Sequence, residues 1–176
     1  MDRLGDWMQT YTGRQFWPID PQPDEICIED IAHALSMQCR YGGHTTRFYS
    51  VAEHCCHVHD ACSDQNKLWA LLHDASEAYI QDVIRPLKPS LTEYKTFERR
   101  VMFAVCQAFK MKPQQPPEVD VLDKRILGDE AAQVMSAPPA PWYFIGEPLG
   151  VKIHGWSPET AKAEFLERFN STTGPT

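Results

Sequence analysis

Four side chains able to hold a divalent cation stand where the surrounding pattern calls for apolar residues: His54, the adjacent pair His73-Asp74, and Asp123. His54 shares a helical face with Val51, Cys55 and Val58. His73-Asp74 closes the apolar run Leu68-Trp69-Ala70-Leu71-Leu72, and Asp123 lies four residues from both Val119 and Leu127. Burying such groups without partners costs several kcal/mol each. One divalent metal satisfies all four together. Two imidazole nitrogens and two carboxylate oxygens suit Mn, Fe, Co, Ni or Zn, with no thiolate in the set. Coordination positions left open to water mark a catalytic rather than a structural centre. Taken singly, each residue also fits an ordinary role, as a core histidine bonded to backbone or an aspartate that caps a helix or pairs with arginine.

A second dipeptide of the same composition, His59-Asp60, is the internal control. It runs into the polar stretch Ser63-Asp64-Gln65-Asn66, where exposure to solvent accounts for it. The buried setting, rather than the dipeptide, carries the signal.

The elements that must position these groups are helical. Residues 1–27, rich in Pro and aromatic residues, read as an irregular arm packed on the domain. A helix begins at Ile28, with Ile31, Ala34 and Leu35 on one face, and breaks at Arg40-Tyr41-Gly42-Gly43-His44. Ser50 followed by Glu53 has capping-box spacing and opens the helix that carries His54. Leu68, Leu71, Leu72 and Ala75 mark a third helix, and a proline-containing loop follows from Asp82 to Pro89. Ser90 and Glu93 repeat the capping-box spacing ahead of a helix to about Phe109. A further helix runs from Glu118 to about Met135, then a long loop over 137–156 with a short strand expected at Val151 to Ile153. Ser157-Pro158 starts a terminal helix reaching Phe169. The expected fold is an all-α orthogonal bundle forming a single domain.

Composition narrows the function. At 176 residues the chain is long enough to bury a core, and 43% apolar with 23% charged residues is ordinary for a globular domain. Net charge is −7 with no basic block, which argues against a nucleic-acid polymer as partner, while a small anion needs only a local basic cluster. No run is long and apolar enough for a membrane span, and the first residues lack a signal-like apolar stretch, so the expected location is cytoplasmic. Six cysteines without a Cys-x-x-Cys pair are expected to be reduced thiols in or near the core.

Ser50-Val51-Ala52-Glu53-His54, and His73-Asp74-Ala75-Ser76-Glu77 with Asp82 beyond it, resemble the motifs of the HD-domain nucleotide phosphohydrolases. That family includes bacterial 5′-deoxynucleotidases and phage deoxyadenosine triphosphate triphosphohydrolases. The resemblance runs from about Ile28 to Glu130. It implies an HD-domain-like bundle in which His54, His73, Asp74 and Asp123 bind one divalent transition metal (Zn, Mn, Co, Ni or Fe), with additional Mg on the phosphates. It also implies that Glu77 handles the proton of the attacking water and that Asp82 is a second catalytic acid. Arg40, set before the aromatic Tyr41, matches a phosphate-binding arginine, with Arg47 as its rival, and Lys88 fits a phosphate contact. His44 is a candidate for sugar or phosphate contact, or equally for a turn. Where relatives carry a lysine three residues before the final aspartate, this chain has Asp120, leaving Lys124 or Arg125 to reach the phosphates. Tyr41 and the Trp142-Tyr143-Phe144 segment are candidates to stack on a base.

The implied reaction is metal-assisted hydrolysis of a deoxynucleotide: a dNTP of the dATP type split into deoxynucleoside and triphosphate, or a dNMP losing phosphate. A nucleotide-binding HD regulator without turnover, and an interaction protein with a structural metal, stand as alternatives. The expected partners are a small nucleotide and further copies of the chain, since relatives form homo-oligomers, with no membrane involved.

Overall fold

The computed structural model describes residues 3–142 and 146–174, and these fold as an all-α bundle with one two-stranded hairpin. The hairpin belongs to the arm: β1 (Met8–Gln9) pairs antiparallel with β2 (Gln15–Phe16), and Phe16 is fully buried. Seven helices follow: α1 (Ile28–Met37), α2 (Val51–Ala61), α3 (Lys67–Leu72), α4 (Glu77–Ile80), α5 (Thr92–Ala108), α6 (Pro117–Val134) and α7 (Pro158–Thr173).

The centre of the bundle is α2, which packs on α1, α3, α6 and α7. Its residues from Val51 through His59 are all buried. A helix covered on every side is normally apolar throughout. This one carries Glu53, His54, His57 and His59, so each polar group must be met by a partner on a neighbouring element. Apolar packing lies on two flanks of α2. One cluster joins Ile31, Leu35, Val51, Cys55, Leu72, Val101 and Phe165; the other joins Val58, Trp69, Cys106, Val119, Leu122 and Ile126.

Several local expectations hold, and several are corrected. Ser50 caps α2, its hydroxyl accepting from the Glu53 amide at 3.0 Å. The box is not reciprocated, because the Glu53 carboxylate accepts instead from the amides of His154, Gly155 and Trp156 at 2.6, 3.0 and 2.7 Å. Ser90 does not cap α5: it ends a 3-10 turn, Lys88–Ser90, and Leu91 precedes the helix without a side-chain bond. The helix expected over Leu68 to Ala75 is two short pieces, α3 and α4, with His73 to Ser76 in the turns between them. No strand forms at Val151 to Ile153. Gln133 of α6 substitutes for a neighbouring strand, donating to the Val151 carbonyl and accepting from the Ile153 amide. α7 starts at Ser157-Pro158 as expected, the Ser157 hydroxyl accepting from the Thr160 amide, and extends to Thr173.

No disulfide forms: all six cysteines are free, and Cys55, Cys56, Cys62 and Cys106 are buried. No helix among the described residues is long and apolar enough to cross a membrane.

Candidate metal centre

The chain between α1 and α2 leaves the bundle and returns under tight control. Cys39 and Ser50 form an isolated antiparallel bridge, and the Arg40 amide donates to the Tyr49 carbonyl at 2.9 Å. Inside this closed loop Tyr41, Gly42 and Gly43 all have positive φ, so the chain turns sharply, at the glycines without Cβ strain. The effect is to hold Arg40 against Glu130 of α6 and near Asp74.

There His54, His73, Asp74 and Asp123 converge. His54 Nε2 lies 3.2 Å from His73 Nε2 and 3.1 Å from Asp123 Oδ1. Asp74 Oδ2 is 3.3 Å from His73 Nε2 and 3.7 Å from His54 Nε2, while His73 Nε2 and Asp123 Oδ1 are 3.8 Å apart. For bonds of 2.0–2.1 Å to one cation, tetrahedral ligand atoms stand about 3.3–3.4 Å apart. The observed separations bracket that value. Three different parts of the chain supply the set: α2, the turn after α3, and α6.

Proton placement argues in the same direction. His54 Nδ1 donates to Glu130 Oε1 at 2.8 Å, and His73 Nδ1 donates to the Ala70 carbonyl at 2.7 Å. Each imidazole hydrogen is thereby assigned outward, so both Nε2 lone pairs face inward beside two carboxylates. Two imidazole lone pairs with a carboxylate oxygen close to them on either hand require positive charge between them. The titration of the groups shows the same demand. Burial favours neutral His73, yet the adjacent Asp74 outweighs it and raises the imidazole's pKa well above its usual value. Burial raises Asp123, but the imidazoles of His54 and His73 beside it prevail and hold its carboxyl well below the usual carboxylate range, as positive charge at this spot would. The group His54, His73 and Asp123 could hold a metal ion, as could the overlapping group Cys55, His73 and Asp74. The second group sets a thiol beside His73 and Asp74, a neighbour that the sequence reading did not name.

Glu130 is the buried partner of this cluster that the sequence motifs do not include. Fully buried on α6, it accepts from Tyr49 Oη at 2.9 Å, from Tyr41 Oη and from His54 Nδ1, and pairs with Arg40. The Arg40 Nε approaches Glu130 Oε1 at 3.2 Å as an ion pair without hydrogen-bond alignment. Burial alone would push this carboxyl up, but Arg40, His54 and Tyr41 bring it down to about 2. A signal for it existed: Glu130 is seven residues after Asp123, two helical turns along the same face.

The remaining expected residues divide into those at the centre and those engaged elsewhere. Arg40 reaches the cluster, its Nη1 3.7 Å from Asp74 Oδ2. Arg47 does not, since its guanidinium donates to the Ile153 carbonyl at 2.8 Å. Lys88 Nζ bridges Glu77 Oε1 at 3.1 Å and Glu98 Oε1 at 3.2 Å. Glu77 is buried, and its Oε2 has no hydrogen-bond partner. Burial first, then the charges of Asp74 and Asp82, push its pKa well up against the pull of Lys88. Gln38 fixes this segment, donating to the Glu77 carbonyl and accepting from the Asp82 amide. His44 is exposed, and its amide closes the 3-10 turn on Tyr41. Lys124 and Arg125 do not reach inward: Lys124 pairs with Asp120 at 2.5 Å, and Arg125 donates to the carbonyls of Glu147 and Pro148. Trp142 lies 6.2 Å from Tyr41, ring to ring, whereas Tyr143 and Phe144 lie outside the described residues.

His59-Asp60 corrects a second expectation. His59 is buried rather than solvated, with Nδ1 2.8 Å from Asp60 and Nε2 3.0 Å from Thr172 Oγ1. Arg168 then grips Asp60 with two bonds of 2.8 and 2.7 Å.

No protein-family model matches the chain. It is 32% identical over 174 residues to the uncharacterized protein YfdR of Escherichia coli strain K12, a match covering 93% of this chain and 94% of that protein. It is also 30% identical over 184 residues to the uncharacterized protein RCAP_rcc00048 of Rhodobacter capsulatus, covering 92% and 93% respectively.

Proposed function

The chain belongs to the family of the uncharacterized protein YfdR, and we propose that it is a metal-dependent phosphohydrolase of the HD-domain type acting on deoxynucleotides. The observation that carries this reading is the meeting of four acceptor atoms from His54, His73, Asp74 and Asp123, with both imidazole Nδ1 hydrogens directed away from the centre.

A divalent cation held by these residues would supply Lewis acidity toward a phosphoryl oxygen and would acidify a water. The chain's own groups do the rest. Glu130 orients His54, and the Ala70 carbonyl orients His73, so the ligand nitrogens are set before any substrate arrives. Glu77, buried and with one oxygen unpartnered, is placed to take or return the proton of an attacking water. Burial and the charge of Asp74 keep that carboxyl's pKa high, and the charge of Asp82 adds to them. Arg40 and Lys88 are the cations nearest the cluster, each now shared with carboxylates that a phosphate would partly replace.

Within this class the expected dATP-type triphosphate cleavage has a rival in release of phosphate from a deoxynucleoside monophosphate. The pairing of Lys124 with Asp120 and of Arg125 with the 147–148 backbone favours the smaller phosphate group, because it removes two cations from a polyphosphate's path.

The test is a panel of deoxy- and ribonucleotides at each phosphorylation level, assayed with Mn, Co, Zn and Mg. Turnover lost in both His73→Ala and Asp74→Ala is the expected result. Near-normal turnover in either variant refutes the assignment, and nucleotide binding without product under every metal would make the domain a regulator.

A further inference from the structure

α5 supplies none of the residues assigned to the centre, yet one face of it grips the segment that carries Glu77 and Lys88. Tyr94 and Glu98 stand four residues apart on this helix and so share that face. The Tyr94 hydroxyl donates to the Gln81 carbonyl at 2.6 Å. Gln81 has φ 70° and ψ 154°, a conformation strained in any residue but glycine, which persists only where its surroundings enforce it. Gln38 holds the adjoining Asp82 amide. Further along, Lys88 Nζ donates to Glu98 Oε1 at 3.2 Å and to Glu77 Oε1 at 3.1 Å. The two carboxylates differ in setting: 5% of the Glu77 side chain is exposed, against 27% for Glu98. Burial opposes charge on Lys88, but Glu77, Glu98 and Asp74 outweigh it and raise its pKa above the usual lysine value. Lys88 therefore stays an ammonium. Two of its three hydrogens are spent on carboxylates, which leaves a third for an incoming anion.

We propose that Glu98 is a positioning residue: it anchors Lys88 so that the ammonium can turn from Glu77 to a substrate phosphate, releasing Glu77 for the attacking water. The proposal rests on the phosphohydrolase reading above and adds to it a residue that acts through Lys88. As a phosphoryl oxygen approaches, the ammonium exchanges Glu77 for it while the bond to Glu98 holds. Glu77, whose Oε2 is already unpartnered, then has both oxygens for the water. Without Glu98 the ammonium has Glu77 as its one carboxylate partner, in a buried setting that strengthens the pair. Glu77 then stays occupied and turnover slows. Substrate binding does not weaken, because a negative charge has left the edge of the site.

A double-mutant cycle tests this with dAMP and then dATP as substrate, under the metal that gives the highest rate. Glu98→Gln should lower kcat about tenfold, with KM no higher than in the wild type. Added to Lys88→Met, the same change should alter kcat less than about twofold, because the residue it acts through is gone. Glu93→Gln, at an exposed carboxylate of the same helix, should leave both constants as they are. If Glu98→Gln does not fold, Glu98→Asp keeps the charge and shortens the anchor by one methylene. It should give a smaller loss of kcat that Lys88→Met likewise removes. An equal loss of kcat with and without Lys88 would assign Glu98 to the fold alone and overturn the proposal. Unchanged kcat in the Glu98 variants, or a rise in KM alone, would overturn it too and leave the phosphohydrolase reading standing. No turnover by the wild type with any metal would bring down that reading and this proposal together.

Discussion

His59-Asp60 and His73-Asp74 are the same two residues in the same order, and both histidines are withdrawn from solvent. At the first pair the protein supplies every partner. Thr172 takes one side of the imidazole, Asp60 the other, and Arg168 neutralises Asp60 with two aligned bonds. At the second pair the surrounding groups are mostly further acceptors: His54 Nε2 and Asp123 Oδ1, with Arg40 only approaching from the Glu130 side. One dipeptide is closed by the fold, and the other is left demanding positive charge. On the proposed reading, a buried titratable pair acquires function according to what its neighbours fail to provide.

The sharpest way to break this contrast is to neutralise each pair in turn. His73→Ala or Asp74→Ala should reduce phosphohydrolase turnover to background, while His59→Ala should leave kcat/KM within about twofold and show its cost in stability, of the order of 1–3 kcal/mol for a lost buried polar interaction. A thermal melt run beside the nucleotide assay separates the two outcomes. Equal loss of activity from both would dissolve the distinction.

Metal linkage gives the next largest effect. A ligand present at about one hundred times its Kd stabilises the native state by about 2.7 kcal/mol. Excess Zn or Co should therefore raise Tm of the wild type and of His59→Ala by several degrees, and should not raise that of His73→Ala. Addition of chelator should reverse the shift.

Glu130 and Glu53 extend the comparison to two fully buried carboxylates. Glu130→Gln removes the anion behind His54 and should weaken Zn or Co binding about 10–100-fold. Glu53→Gln loosens the amides of His154, Gly155 and Trp156, and should leave metal affinity within about twofold while lowering Tm. Competition with a chromophoric chelator measures both.

The smallest effect lies in pH. Burial tends to raise Asp60, but bonds from His59 and Arg168 outweigh it and bring its pKa below the usual aspartate range. A lowered folded-state pKa contributes stability that is present above the unfolded value, about 3.9, and is lost as pH falls below it. The Tm gap between wild type and Asp60→Asn should be full at pH 6 and shrink as pH drops through 4. Because Asp60 is about half exposed, the gap amounts to about 1 kcal/mol at most. A gap independent of pH would remove the ion pair from the account.

How far the sequence could be read follows from where each signal originates. The apolar spacing of Ile31 and Leu35, of Val101 and Val105, and of Val119, Leu122 and Ile126 located α1, α5 and α6 to within a few residues, since a buried helical face is a local pattern. Ser157-Pro158 announced α7 through cap chemistry of the same range. The cap at Ser90 misled because spacing alone does not tell whether a serine hydroxyl caps the helix or ends a 3-10 turn just ahead of it, as here, where α5 begins at Thr92. The strand at Val151 to Ile153 failed for a related reason: its backbone partner is the side chain of Gln133, which no strand pattern encodes. Solvation was wrongly assigned to His59, though not to the half-exposed Asp60, because Thr172 and Arg168 of α7, which engage the pair, come more than one hundred residues later.

By itself the sequence determined which elements are helical and which four residues have the chemistry and the apolar setting of a metal set, because both are matters of residue type and short-range period. Only the tertiary structure decided how that set is completed. It seated Glu130 behind His54, placed Cys55 beside His73, spent Arg47, Lys124 and Arg125 on other partners, and closed His59-Asp60 with Arg168. Those assignments depend on distances between elements far apart in the chain, and charge pairing and hydrogen bonding fall off too steeply with distance for any local pattern to record them.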